Sequence, residues 1–390
     1  MTFLRSLLLV PVMSVVLMAG DPGWRNLPPL PTARNAHSAV MTHNGDVIVA
    51  GGVDGANNTP ASGFVLRGAT GVLEPLLNSM TVPRAYFELV AAKAADGTSI
   101  IYAIGGYTGA GPYTSTDVVD VLTFDVGQNN WRWSRLGLLP GSAGNVRAIY
   151  DGSAFVVVSG GRVQPSGGLG TGTPSAVTSR IVVASGVIQR LGDHITARSE
   201  HGIWTYIDQQ GATKVLAAGG EAALPTSTEL LEGTAWDGRA NAPRVMRHLS
   251  VDASDPSGIP RSFGGVNESG VVMASCEWYD VKSGWRVAPT MQDARSNFAG
   301  TYVASPTDTA FAWLVAGGTS VSGGRLSSSE LFMLPSGTDP AGTWQPFDAL
   351  STAASERTVS MTSSNLPVVT GGSSTTVSYT HLTLPTNREV

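Results

Sequence analysis

Cysteine is nearly absent: Cys276 stands alone in 390 residues. An intramolecular disulfide and a thiolate metal cluster are therefore excluded, and a lone cysteine most often serves as a small buried apolar side chain. Charge is sparse too. Asp, Glu, Lys and Arg make up 14% of the chain, and the formal net charge is −5. No basic excess exists to supply the footprint of a nucleic-acid binder. Beyond the N-terminus no apolar run approaches the ~18–20 residues of a bilayer span. There is no Gly-rich phosphate loop, no His-Glu-x-x-His, and no Gly-x-Ser-x-Gly in strand–turn–helix context. No catalytic set stands out, and no cofactor or metal is expected.

Two ends of the chain depart from the rest. Arg5 precedes an apolar stretch from Leu7 to Ala19, followed by small residues Ala19 and Gly20. Residues 1–20 therefore read as a secretory signal peptide, with a secreted, periplasmic or cell-surface location. At the other end, "VSYTHLTLPT" (Val377–Thr386) resembles the translated frame of a transposase-based sequencing-library adapter. Residues 377–390 are expected to be foreign to the natural protein, whose own C-terminal part is then missing.

What is plentiful is glycine, with 47 residues. Apolar strands repeatedly run into a glycine pair, as in "DVIVAGG", "IIYAIGG" and "KVLAAGG". The pairs are Gly51-Gly52, Gly105-Gly106, Gly160-Gly161, Gly219-Gly220, Gly264-Gly265, Gly317-Gly318 and Gly371-Gly372. Successive pairs lie 45 to 59 residues apart. A period near 50 points to the blades of a β-propeller. Arginines follow the same period: Arg34, Arg84, Arg147, Arg198, Arg247, Arg295 and Arg357. So do tryptophans, at Trp24, Trp131 or Trp133, Trp236, Trp285 and Trp344, although the first and third repeats lack one.

The fullest copy, "SCEWYDVKSGWRVAPTMQDAR" (Ser275–Arg295), follows Gly264-Gly265. Glycine pair, acid, Tyr-Asp, Trp, Met and Arg in that order resemble the kelch-repeat family, over roughly residues 21–376. The resemblance implies an all-β, seven-bladed kelch-type propeller with four antiparallel strands per blade. The second strand of each blade would be the buried one ending in Gly-Gly. Acids opening the third strand, Glu229, Glu277 and Glu330, would bond backbone or pair with an arginine. "GWRNLPPLPTAR" at the start has no preceding glycine pair, so the N-terminal strand is expected to close the last blade and remove an open edge. If the natural chain continues, six or eight blades also fit.

The seven arginines are the candidate ligand site. In kelch propellers such residues stand near the funnel mouth, where converging guanidiniums would focus positive potential and recognise carboxylates. His37, Tyr86, Glu200, His201 and His248 are accessory candidates. The resulting expectation is a monomeric recognition module for a carbohydrate or an acidic protein segment, without nucleic acid, membrane span or evident catalysis. Two alternatives rest on resemblance. A sugar mutarotase or epimerase like the bacterial sialic-acid kelch enzyme would use arginines for a carboxylate and Glu200 with His201, or Glu88, for proton transfer. A copper oxidase like galactose oxidase needs a cysteine cross-linked to tyrosine; Tyr86 resembles that tyrosine, but Cys276 lies in another repeat.

Overall fold

The computed structural model describes residues 23–26, 29–68, 70–141, 143–244, 258–304, 311–334, 342–356, 358–361, 367–372 and 383–386. The expected leader lies outside them. No helix among the described residues is long and apolar enough to cross a membrane.

The repeats fold into antiparallel sheets of a β-propeller. The first sheet joins Ser38–Met41, Val47–Ala50, Gly63–Leu66 and Leu73–Pro75 in chain order. The second, third, fourth and sixth repeats build sheets of the same order around Ser99–Ile104, Phe155–Ser159, Thr213–Ala218 and Phe311–Ala316. The last sheet runs Thr358–Met361, Pro367–Thr370, Thr383–Thr386, Gly23–Asn26. The N-terminal strand thus completes the final sheet, pairing Trp24 with Pro385. Its partner strand falls within residues 377–390, the stretch read from sequence as foreign.

The expectation of seven four-stranded blades is corrected: six four-stranded blades are described. The fifth repeat shows three strands, Arg261–Phe263, Cys276–Asp280 and Gly284–Ala288. Residues 245–257, ahead of them, lie outside the described set.

Packing explains the motif. Second strands are sealed on both faces; Val47, Ile48, Val49 and Ala50 expose nothing. Each repeat tryptophan reaches back to the preceding repeat. The indole N–H groups of Trp236 and Trp285 donate to Thr178 Oγ1 (3.1 Å) and Thr228 Oγ1 (2.9 Å). Trp131 donates to Asp46 Oδ2 (3.3 Å), and Trp24 donates across the closure to the Asp348 carbonyl (2.7 Å). Large rings supply the inter-blade apolar area while the single polar atom stays paired.

All fourteen glycines of the pairs have positive φ, from 55° to 117°. A side chain is strained there whatever the space, by roughly 1–2 kcal/mol. Space is also lacking. A Cβ on Gly51 would lie 2.5 Å from the Arg84 carbonyl and 2.5 Å from the Phe87 ring. Gly55 has nothing within 4 Å of its Cβ position. Gly51→Ala is expected to cost about 2 kcal/mol or more in urea unfolding, and Gly55→Ala to fall within about 0.5 kcal/mol of the parent.

Candidate functional site

Where a propeller binds depends on what its repeats bring to the mouth. The arginines are not there. Arg34, Arg84, Arg198 and Arg295 are each 0% exposed. Each guanidinium turns into its own blade and donates to the carbonyl of the first glycine of the pair. These contacts reach Gly51, Gly105 and Gly219 at 3.0 Å and Gly317 at 2.8 Å. Each also donates to a carbonyl at or just ahead of the start of the third strand: Ser62, Val118, Ser227 or Ser328. The acid of that strand completes the clamp. Arg84 pairs with Asp120 at 2.7 Å, Arg198 with Glu229, and Arg295 with Glu330 at 2.7 Å. In the first blade Phe64 holds the acid's place, and Arg34 lies 5.1 Å from its ring centroid. Burial lowers the Arg84 guanidinium to about 10, with Asp120 pulling the other way; it stays charged at neutral pH. These arginines splint glycine-rich turns and do not face a ligand.

Arg147 is out of phase. The true repeat position is marked by its carbonyl, which accepts the N–H of the second glycine of the preceding pair. Arg84, Arg198 and Arg295 do so at 2.9, 2.9 and 2.8 Å, but so do Ala143 and Ala354, at 2.8 and 2.9 Å. Arg147 therefore lies four residues past its repeat position. It is half-buried, donating to the His201 carbonyl at 3.0 Å and approaching Glu88 at 3.5 Å. In the fifth repeat Arg244 pairs bidentately with Glu277 at 2.6 and 2.8 Å and donates to the Ser275 carbonyl. It takes the role assigned by sequence to Arg247. Arg247, His248 and Arg357 lie outside the described residues.

The histidines are also structural. His37 and His201 sit three residues past a repeat arginine, against Gly371 and Gly160. Phe87 and Phe298 hold the same place against Gly51 and Gly264. Histidine appears where the preceding residue of the facing strand is a hydroxyl. His37 Nε2 meets Thr370 Oγ1 at 2.7 Å, and His201 Nε2 meets Ser159 Oγ at 2.9 Å. Ser159 Oγ also meets His194 Nε2 at 2.6 Å, and His194 Nδ1 meets Glu229 Oε2 at 3.1 Å. Serine, histidine and glutamate are thus in sequence, but Ser159 is 0% exposed. The chain of contacts is an inter-blade tie.

Two residues beyond each repeat position the backbone turns left-handed. Ala36, Tyr86, Asn145, Glu200, Asn297 and Glu356 have φ between 48° and 55°. Apart from asparagine these types avoid that region, and such strain concentrates at functional sites. They form a ring linked by backbone bonds: Tyr86 N–H to the Ala36 carbonyl (3.0 Å), Asn145 to Tyr86 (3.0 Å) and Glu356 to Asn297 (2.8 Å). Tyr86 hydroxyl donates to Glu356 Oε1 at 3.0 Å, and Asn145 Nδ2 to Glu200 Oε1 at 3.1 Å.

An outer ring borders the first. In five repeats the residue after the glycine pair bridges the residue before the left-handed one: Val53 to Asn35, Tyr107 to Ala85, Arg162 to Gly144, Glu221 to Ser199 and Thr319 to Ser296. Arg162 pairs with Glu221 and approaches Glu200 at 3.9 Å. Tyr107 is fully buried, its hydroxyl without a hydrogen-bond partner among the described residues. Burial raises it to about 12, opposed by the Arg162 charge. Tyr86 is raised as well, by burial first and then by Glu356. Of the sequence candidates, Tyr86 and Glu200 reach this mouth. Asn145, Arg162, Glu221, Asn297 and Glu356 were missed. The signal for them is positional: two residues past the repeat position, which Ala143, Arg295 and Ala354 hold, or one past the glycine pair.

Among the described residues, no group of three or more His, Cys, Asp or Glu is placed to hold a metal. Cys276 is buried, its thiol pushed up to about 12 chiefly by that burial. It packs with Phe263, Ala288 and Met291, whereas Tyr86 packs with Ala36, Val53 and Ala85. The cysteine–tyrosine juxtaposition of a galactose-oxidase-like site is not formed.

No family model matches the chain, and no curated protein does. The solved structure of YjhT is similar in fold, with a TM-score of 0.54 at 12% identity, over 93% of this chain and 97% of that one. At that identity the likeness speaks for the propeller fold alone.

Proposed function

We propose that the chain is a kelch-type propeller acting outside the cytoplasm as a non-catalytic recognition module, and that its partner is a protein segment docked at the mouth. The observation that carries this reading is the pair of linked rings at the mouth, the inner one on left-handed backbone, whose equivalent positions carry Ala, Tyr, Asn and Glu instead of one residue type. The leader-like residues 1–20 and the kelch-like motif order support the location and family. An acidic partner loses most of its basis, because four of the arginines meant to receive it, Arg34, Arg84, Arg198 and Arg295, are buried. A carbohydrate is less favoured, because Tyr107 and Tyr113 at the mouth are buried and the half-buried Tyr86 spends its hydroxyl on Glu356. The mutarotase reading weakens for a related reason: His201 is 0% exposed and is spent on Ser159.

A maleimide-polyethylene-glycol label tests the location. Buried Cys276 will not react, so the label goes to Asn297→Cys on the inner ring or to Val126→Cys, 83% exposed on a strand turn. The full chain is screened against a displayed peptide library and a glycan array. Saturable peptide binding abolished by the Asn297→Cys label and untouched by the Val126→Cys label is expected. Binding insensitive to both labels, or chemical turnover of a bound sugar, would contradict the reading.

A further inference from the structure

The proposed docking role leaves open what kind of segment fits, and two features of the mouth face decide it. The first is charge. In the two rings and the loops that spring from them, the described residues include Asp54, Glu200, Glu221, Glu268 and Glu356. The described cations there are Arg162 and Arg325. Arg162 is already bonded to the Gly172 carbonyl and Glu221. Of the arginines expected to reverse this balance, Arg34, Arg84, Arg198 and Arg295 are clamped inside blades. With the Arg162–Glu221 pair set aside, the described residues of the face still carry Asp54, Glu200, Glu268 and Glu356 against Arg325.

The second feature is a set of exposed aliphatic side chains. Four consecutive repeats each place one on the loop that follows the glycine pair. They are Val163 (41% exposed), Leu224 (59%), Val271 (46%) and Val321 (64%). Single exposed aliphatics are ordinary. Here one recurs on the loop after the glycine pair in each of four neighbouring repeats, two to six residues past the pair. In the first two repeats the corresponding loops are instead stitched together: Tyr113 hydroxyl donates to the Asn57 carbonyl and Thr59 hydroxyl to the Gly109 carbonyl, while Tyr113 N–H reaches the Gly167 carbonyl of the third repeat's loop. The face is thus asymmetric, with a polar wall on one side and an apolar rim on the other, around an acidic centre.

Resting on the recognition reading above, we propose that the partner is an exposed segment of another protein carrying lysine or arginine flanked by aliphatic residues. Its cation enters the mouth beside Glu200 and Glu356, and its aliphatic side chains cover the rim. Charge complementarity selects the centre and sets the approach rate. The rim adds the area that a lone ion pair lacks, at ~25 cal/mol per Å² buried.

The test uses the full chain as bait for a library of random displayed peptides. Enriched sequences are read, and the winners are titrated by fluorescence anisotropy. Enrichment of basic residues flanked by Leu, Ile or Val is expected. Affinity should fall at least tenfold in the Glu200→Gln/Glu356→Gln variant and by a similar factor in Leu224→Asp/Val321→Asp. It should also fall as salt rises from about 0.05 to 0.5 M. Both variants must keep the parent melting temperature; where the double substitution does not, the single Glu356→Gln and Val321→Asp variants replace it, each expected to weaken binding several-fold. Enrichment of acidic or uncharged peptides that the Asn297→Cys label still displaces would overturn the basic-segment claim and leave the docking reading standing. Absence of any saturable peptide would overturn both.

Discussion

Arg84→Met should destabilise the protein by about 3–5 kcal/mol, the usual cost of removing one partner from a buried ion pair. The guanidinium leaves behind the Gly105 and Val118 carbonyls and the Asp120 carboxylate, which is itself 0% exposed. Only Thr81 then remains beside Asp120. In a chain of this size that loss lowers the melting temperature by roughly 5 °C. The double variant Arg84→Met/Asp120→Leu should recover a large part, since replacing both partners by apolar groups removes the orphaned charge. Arg147→Met should cost no more than about 1 kcal/mol, because that arginine is partly exposed at 29% and its acid lies 3.5 Å away. Calorimetry of the three variants checks both the clamp and its phase. Equal losses for Arg84 and Arg147 would contradict the assignment.

The second large effect is acid lability. Burial depresses His37 to about 3, helped by the Arg34 charge. It depresses His194 to about 4 against the pull of Glu229, and it drives His201 well below its ordinary value. His37 Nδ1 and His201 Nδ1 have no partner among the described residues, so a proton placed there meets no acceptor. The unfolded chain takes up these protons near pH 6.5, whereas the folded chain refuses them. Below pH 6.5 the unfolded state therefore binds more protons, and stability falls as pH falls. Each histidine contributes roughly 1.4 kcal/mol per pH unit until its folded value is reached. For His194 that decline runs to about pH 4, and for His37 to about pH 3. Glu229 adds to it lower down. Burial raises its carboxyl, but the His194 hydrogen bond and the Arg198 charge outweigh that and hold it at about 2. Its stabilising share, complete above the unfolded value of ~4.3, is lost as pH falls toward 2. Urea unfolding at pH 7, 6, 5 and 4.5 should show a slope approaching three protons. His37→Phe with Thr370→Ala copies the Phe87–Ala50 solution of the first two blades and should flatten that slope by about one proton. An unchanged slope would remove His37 from the account.

Much of the architecture was written in residue identity. Glycine pairs were legible because a positive φ beside a close backbone contact leaves few alternatives. The acids Glu229, Glu277 and Glu330 were legible because each opens a third strand, and all three pair with arginines as expected. The arginine phase was less so. Arg147, Arg247 and Arg357 fall near the right place, but the repeat is kept by a backbone carbonyl, which Ala143 and Ala354 supply as well as arginine does. In the third repeat the arginine and its acid are absent together, with Ser179 at the acid's position beside Val158. The mouth was hardest to read. Its ring positions hold Ala, Tyr, Asn and Glu, so no residue type marks them, and only the shared left-handed turn reveals that they are equivalent.

The central claim is that arginines build the blades while the mouth ring binds. It is tested most directly by titrating one enriched peptide into two variants below their melting temperatures. The account predicts that Glu200→Gln/Glu356→Gln binds at least tenfold more weakly with an unchanged melting temperature. Arg295→Lys, which loses the bidentate fork on Gly317, Ser328 and Glu330, should bind the peptide as the parent does but melt several degrees lower. The opposite pattern, with binding lost in Arg295→Lys and kept in the double glutamine variant, would contradict it.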